Sequence, residues 1–88
     1  MRITKDECFK IGSRDCRTTT FKDDQCTFRM IWEDMGVCRL ERKITLRKWE
    51  ECLSLNSKLS SDDALERCIS VAEKFSMNYE IKCPFIPS

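Results

Sequence analysis

The chain has no histidine, two glycines and two prolines among its 88 residues. Without histidine the usual general base is missing, and with it the Ser-His and Cys-His nucleophile pairings, so the sequence reads as a non-enzyme. So few glycines and prolines argue against a β-rich fold built on many tight turns. No glycine-rich phosphate loop is present, which removes the basis for nucleotide binding. No apolar run approaches the ~20 residues of a membrane span. The first seven residues, Met1 to Glu7, lack the apolar stretch of a signal peptide. Neither Asn56 nor Asn78 opens an Asn-x-Ser/Thr acceptor. Charge of one sign is also missing in excess. Sixteen basic and fifteen acidic residues are interspersed to a net +1, which points away from nucleic acid or another polyelectrolyte as the principal partner.

What is abundant is cysteine. Cys8, Cys16, Cys26, Cys38, Cys52, Cys68 and Cys83 are spread along the chain with no Cys-x2-Cys pair, so neither zinc nor an iron-sulfur cluster is expected, and no cofactor is implied. Dispersed cysteines in a short chain read instead as a disulfide framework made in an oxidising compartment. A core of this size is marginal, because about 1.5 kcal/mol of ordering entropy per residue nearly cancels the apolar burial of such chains, and cross-links would supply the difference. Seven is odd. The leftover thiol either stays buried as a small apolar side chain or joins two chains as a disulfide-linked homodimer.

The clearest element runs from Ser60 to Tyr79. Leu65, Cys68, Ile69, Ala72, Phe75 and Tyr79 share one helical stripe, and Glu66, Arg67, Ser70, Glu73 and Lys74 fill the opposite face. Ser60 or Ser61 can cap its start, with Asp62 and Asp63 at the positive end of the helix dipole. Earlier segments carry weaker helical signals. Thr4 to Glu7 matches a capping box, which predicts a short first helix ending at Gly12. Phe21, Gln25, Phe28, Trp32 and Met35 repeat at helical spacing and predict a second helix stopped by Gly36. Thr45 is placed to cap a third, striped by Leu46, Trp49, Cys52 or Leu53, Asn56 and Leu59. Pro84 marks residues 80–88 as an extended tail. The expected fold is therefore one all-α domain over residues 1–88, a small disulfide-stabilised bundle of about four helices. In antiparallel third and fourth helices, Cys52 and Cys68 fall within about 3 Å of the same level, which favours a Cys52–Cys68 bridge.

Five acidic doublets (Asp6-Glu7, Asp23-Asp24, Glu33-Asp34, Glu50-Glu51 and Asp62-Asp63) read as solvated faces and helix starts. The segment Arg39 to Lys48 carries five positive charges and one negative. From it Arg39, Arg42, Lys43, Arg47 and the adjacent Trp49 are drawn as binding candidates, with Phe85 from the tail, because arginine and aromatic side chains anchor interfaces. The function these features imply is that of a secreted cysteine-rich binding protein: an effector, toxin-like ligand, pheromone or immune modulator. It would be a mature domain without its leader that presents a rigid surface to a host or receptor protein. The alternative is a carrier of small apolar ligands, with Phe28, Ile31, Met35, Leu53, Ile69, Phe75 and Met77 lining a chamber between helices.

Overall fold

A computed structural model of the chain describes residues 1–55 and 58–77. The architecture is not an all-α bundle. Five strands, β1 (Arg2–Ile11), β2 (Arg14–Lys22), β3 (Thr27–Glu33), β4 (Val37–Thr45) and β5 (Lys48–Leu55), form one antiparallel meander in the order β1-β2-β3-β4-β5. One helix is present among the described residues, α1 (Ser61–Met77), and it packs across one face, chiefly over β3.

The alternation in the middle strands explains the sheet. Arg17, Thr19 and Phe21 on β2 line up with Trp32, Met30 and Phe28 on β3, and Cys38 and Leu40 on β4 stand opposite Trp32 and Met30. All of these face the helix. Phe21, Phe28, Met30, Cys38 and Leu40 are fully buried with Ala64, Leu65, Cys68 and Ala72 of α1, and the Phe21 and Phe28 rings stack at 6.0 Å. The expected second helix spanned Phe21 to Met35, and its stripe was an accident of two positions. Phe21 and Phe28 share the core because they pair directly across a hairpin, whereas Met35 sits in the β3–β4 turn, 68% exposed. Period-two alternation of Phe28, Met30 and Trp32, in a run with β-branched and aromatic residues, was the signal that won.

The other helix signals were overridden in the same way. Thr4 does not cap a helix; its hydroxyl donates to the carbonyl of Thr20 across the β1–β2 pair at 3.3 Å, and Glu7 pairs with Lys5 on the same strand. Gly12 and Gly36 end elements as expected, but in hairpins. Gly12 (φ 65°) begins a two-residue turn in which Ser13 keeps negative φ, the type II′ pattern, and Gly36 (φ 92°) closes the β3–β4 connection. Two glycines at these two positions suffice because the β4–β5 turn, Leu46-Arg47, adopts no positive φ. The third expected helix is β5, which bulges against β4 near Cys52.

α1 follows its sequence signal closely. Ser60 is the cap: its hydroxyl accepts from the Asp63 amide at 3.1 Å and its carbonyl from Ala64 at 2.9 Å. The anticipated stripe is the buried one, with Leu65, Cys68 and Ala72 in the core and Ile69 and Phe75 half-buried against it. Tyr79 and the tail of residues 80–88, including Cys83 and Phe85, lie outside the described residues.

The disulfide framework is also corrected. None of Cys8, Cys16, Cys26, Cys38, Cys52 and Cys68 forms a disulfide. In place of the expected Cys52–Cys68 bridge, Cys68 on α1 meets Cys38 on β4 with their sulfurs 3.7 Å apart, well beyond the about 2.05 Å of a bond, while the Cys52 thiol donates to the Glu50 carbonyl. The physical reason is placement: strands distribute the cysteines over both faces and both ends of the sheet. The hydrogen bond to Cys38, with burial added, pushes the Cys68 thiol up, so it stays protonated near neutral pH. Backbone ladders between five strands supply the cohesion that cross-links had been expected to provide.

Candidate interaction surface

Among the described residues the helix covers one face of the sheet and leaves the other open. On the covered side, the interface between β1, β2 and α1 is closed by Arg17. Its guanidinium donates from Nε and Nη2 to the two oxygens of Asp6 at 2.9 and 2.8 Å, and from Nη1 to Asp62 at 2.8 Å and the Ser61 hydroxyl at 3.3 Å. Thr19, fully buried, donates its hydroxyl to Asp6 at 2.8 Å. Arg17 is only 12% exposed, and its bonds hold the Asp6 carboxyl below the usual carboxylate range. Asp6 is therefore an anchor for the helix start, tuned in the direction opposite to a general acid. Trp32 adds a second tie, its indole N–H donating to the Leu59 carbonyl at 3.0 Å. Trp32 thus ties the sheet to the helix side, and Trp49, also half-buried, stands on the opposite face.

On the open side the register brings together residues far apart in sequence. Arg29 on β3 stands opposite Glu41 on β4, and Lys43 on β4 opposite Trp49 on β5. Arg29 donates to the Glu41 carboxylate and at the same time lies 4.2 Å over the Trp49 ring, while the Lys43 ammonium is 5.9 Å from that ring. Guanidinium over indole is a favourable cation–π arrangement, and pairing with Glu41 fixes the plane of Arg29 so that Trp49 is pre-positioned. Arg39 lies on the same face, opposite Ile31 and Ser54, and is exposed. Arg14 and Glu33 form a further ion pair at 3.2 Å. On β2 to β5 this face carries Arg14, Lys22, Arg29, Arg39 and Lys43 against Glu33, Glu41 and Glu51, an excess of positive charge. The outer side of α1, with Asp62, Asp63, Glu66 and Glu73 against Arg67 and Lys74, is acidic. A net charge of +1 therefore conceals two faces of opposite sign.

The binding candidates from the sequence separate accordingly. Lys43 and Trp49 are brought together, and Arg39 shares their face. Arg42 turns to the helix side, opposite Phe28 and Glu50, where it sits beside the Cys26 thiol; burial pushes that thiol up and Arg42 opposes the rise. Arg47 projects from the β4–β5 turn. Phe85 falls outside the described residues. Arg29, the residue that organises the cluster, was missed; the outward alternation of Thr27, Arg29, Ile31 and Glu33 against Phe28, Met30 and Trp32 was its signal. Residues expected to line an apolar chamber are scattered: Phe28 is in the core, Ile31 on the open face and Met35 in a turn. Adjacent acids such as Asp6-Glu7 and Glu50-Glu51 lie on opposite faces of their strands, so these doublets do not converge. Among the described residues no cluster of three or more potential metal ligands occurs. Comparison with protein-family models, with characterised proteins and with solved structures found no match.

Proposed function

We propose that this chain is a protein-binding domain whose open sheet face docks on an acidic protein surface. The observation that carries the reading is the Arg29–Trp49–Lys43 cluster on a face that α1 leaves uncovered. Tryptophan and arginine dominate the energetics of interfaces because they combine a large apolar contact area with directional donors. Here the guanidinium is already oriented by Glu41, so little ordering entropy remains to be lost on docking. The positive excess on this face, against the acidic outer side of α1, selects both the sign of the partner and the side from which it approaches. Of the expected secreted effector-like binder, this proposal keeps protein binding; the thiols of the structure lend no support to the extracellular part, and the docking reading requires no particular compartment.

A photo-crosslinking amino acid placed at Arg39, beside the cluster, tests the proposal, with the same group at Glu66 on the helix as its counterpart. The expected result is one protein captured from the native source through Arg39, linked at an acidic segment and absent from the Glu66 sample. Capture should drop about tenfold or more with Trp49→Ala or Lys43→Glu, a loss of at least ~1.4 kcal/mol. Equal capture from both positions, or capture indifferent to those substitutions, rejects the open face as the docking surface.

A further inference from the structure

We propose that β1 is the seam of a symmetric homodimer, in which the free edges of two β1 strands pair antiparallel about Cys8 and join two five-stranded sheets into one. This inference is independent of the docking face, since it uses the edge of the sheet and not its surface. β1 is ten residues long, pairs with β2 alone among the described residues, and every one of its residues is exposed. A long strand edge left this way presents a row of unpaired backbone groups and is a template for another strand. Ile3, Phe9 and Ile11 are 47%, 44% and 58% exposed along it.

The hairpin fixes which groups face outward. Ile11 and Arg14 close the two-residue turn as a hydrogen-bonded pair, so alternate residues from there, Phe9 and Glu7, bond to β2. Lys10, Cys8 and Asp6 therefore direct their amides and carbonyls to the free edge.

Charge then selects the partner and the register. A two-fold axis through Cys8 sets Asp6 opposite Lys10 of the second copy and Lys10 opposite its Asp6. It gives about six inter-chain backbone bonds from three hydrogen-bonded pairs. Phe9 becomes the diagonal neighbour of its symmetry mate on the open face, within reach of ring contact. An axis through Asp6 or Glu7 would put like charges directly opposite each other. An axis through Phe9 shortens the overlap and forms no ion pair. Both partners of the cross-strand pair are available. Among the described residues Lys10 is held by an exposed contact with Asp15 at 3.6 Å, and the Asp6 carboxylate, which accepts two bonds from Arg17 and one from Thr19, retains about one of its four lone-pair sites for an ammonium. The strand carries Arg2, Lys5 and Lys10 against Asp6 and Glu7, so its charges complement a second copy of itself.

Sedimentation equilibrium of the full chain in reductant, from about 10 μM to 1 mM, reads the assembly directly. The expected result is a mass that rises with concentration towards twice 10.4 kDa. Lys10→Pro removes an outward amide without touching the β1–β2 ladder, and Lys10→Glu sets two acids opposite; each should return the monomer while the circular dichroism of the fold is kept. Adding oxidised glutathione to the wild-type dimer should join the chains. One Cys8 thiolate attacks the reagent and the second displaces the glutathione, so two protein thiols become one disulfide and the reagent leaves as two thiols. Cys8→Ser should block that product. A monomer at every concentration overturns the proposal, including the case in which β1 accepts a strand of another protein or of residues 78–88. A dimer that survives both Lys10 variants, or that cross-links through a different cysteine, overturns the seam.

Discussion

The two faces of this sheet are made from the same strands and obey opposite rules. Towards α1, Phe21, Phe28, Met30 and Leu40 are fully buried, Trp32 is half-buried and tied to Leu59, and Arg17 is held by Asp6 and Asp62. Away from α1, the intervening residues of the same strands form ion pairs and a cation–π cluster. Each strand supplies both, because successive residues point to opposite sides. The difference teaches that core packing and surface charge are separable here at the resolution of one residue: moving one position along β3, from Phe28 to Arg29, crosses from the core to the opposite face. It also locates the chain's chemical information. The covered face needs only shape and apolarity; the open face needs particular charges at particular register positions.

Substitutions break this comparison in a graded way. Phe28→Ala, on the covered face, should cost about 3–4 kcal/mol, since it removes a fully buried ring that stacks on Phe21 and leaves a cavity. A urea midpoint shift at unchanged slope measures it; a cost under about 1 kcal/mol would mean that α1 does not close this core. Next is the clamp between β1, β2 and α1. The Asp6 carboxyl is held low chiefly by its hydrogen bond from Arg17. A depressed carboxylate contributes stability that is present above the unfolded value of about 3.9 and disappears as pH falls through the lower folded value. The urea midpoint of the wild-type chain should therefore fall more steeply below pH 4 than that of Asp6→Asn. At pH 7 the variant should be weaker by about 1 kcal/mol, the upper end for a partly exposed pair. Identical acid profiles would remove Asp6 from the clamp. The smallest effect belongs to the open face, where Trp49→Ala, the loss of a half-buried ring under Arg29, should cost under about 1 kcal/mol while abolishing capture of the acidic partner. A large stability loss from Trp49→Ala would merge the two faces into one function.

How much of this could be read in advance varies with the locality of each signal. α1 was legible because everything that makes it a helix lies within it: the Ser60 cap, the acidic first turn, and a stripe from Leu65 to Phe75 that needs one apolar neighbour. The strands were not, because short apolar runs satisfy helical and extended spacings alike, and the deciding interactions lie between distant residues. Thr4 illustrates the conflict. Its local capping box is sound, yet the hydroxyl is used 16 residues away, on Thr20. The low glycine count misled for a similar reason: it bounds the number of turns needing positive φ, not the number of strands. Within the interaction surface, Lys43 and Trp49 were visible as charge beside aromatic. Arg29 was hidden, since its place beside Trp49 exists only once β3 and β5 flank β4.

By itself the amino-acid sequence determined the helix over Ser61–Met77, the absence of a histidine-based site and a near-neutral charge, all properties that are local or additive. Tertiary structure alone decided that the segments from Arg2 to Leu55 form strands, that Cys68 meets Cys38, and that the charges separate onto two faces. Strand pairing is the reason: a residue's side of a sheet depends on its register with neighbours many positions away, and no window of sequence contains that register.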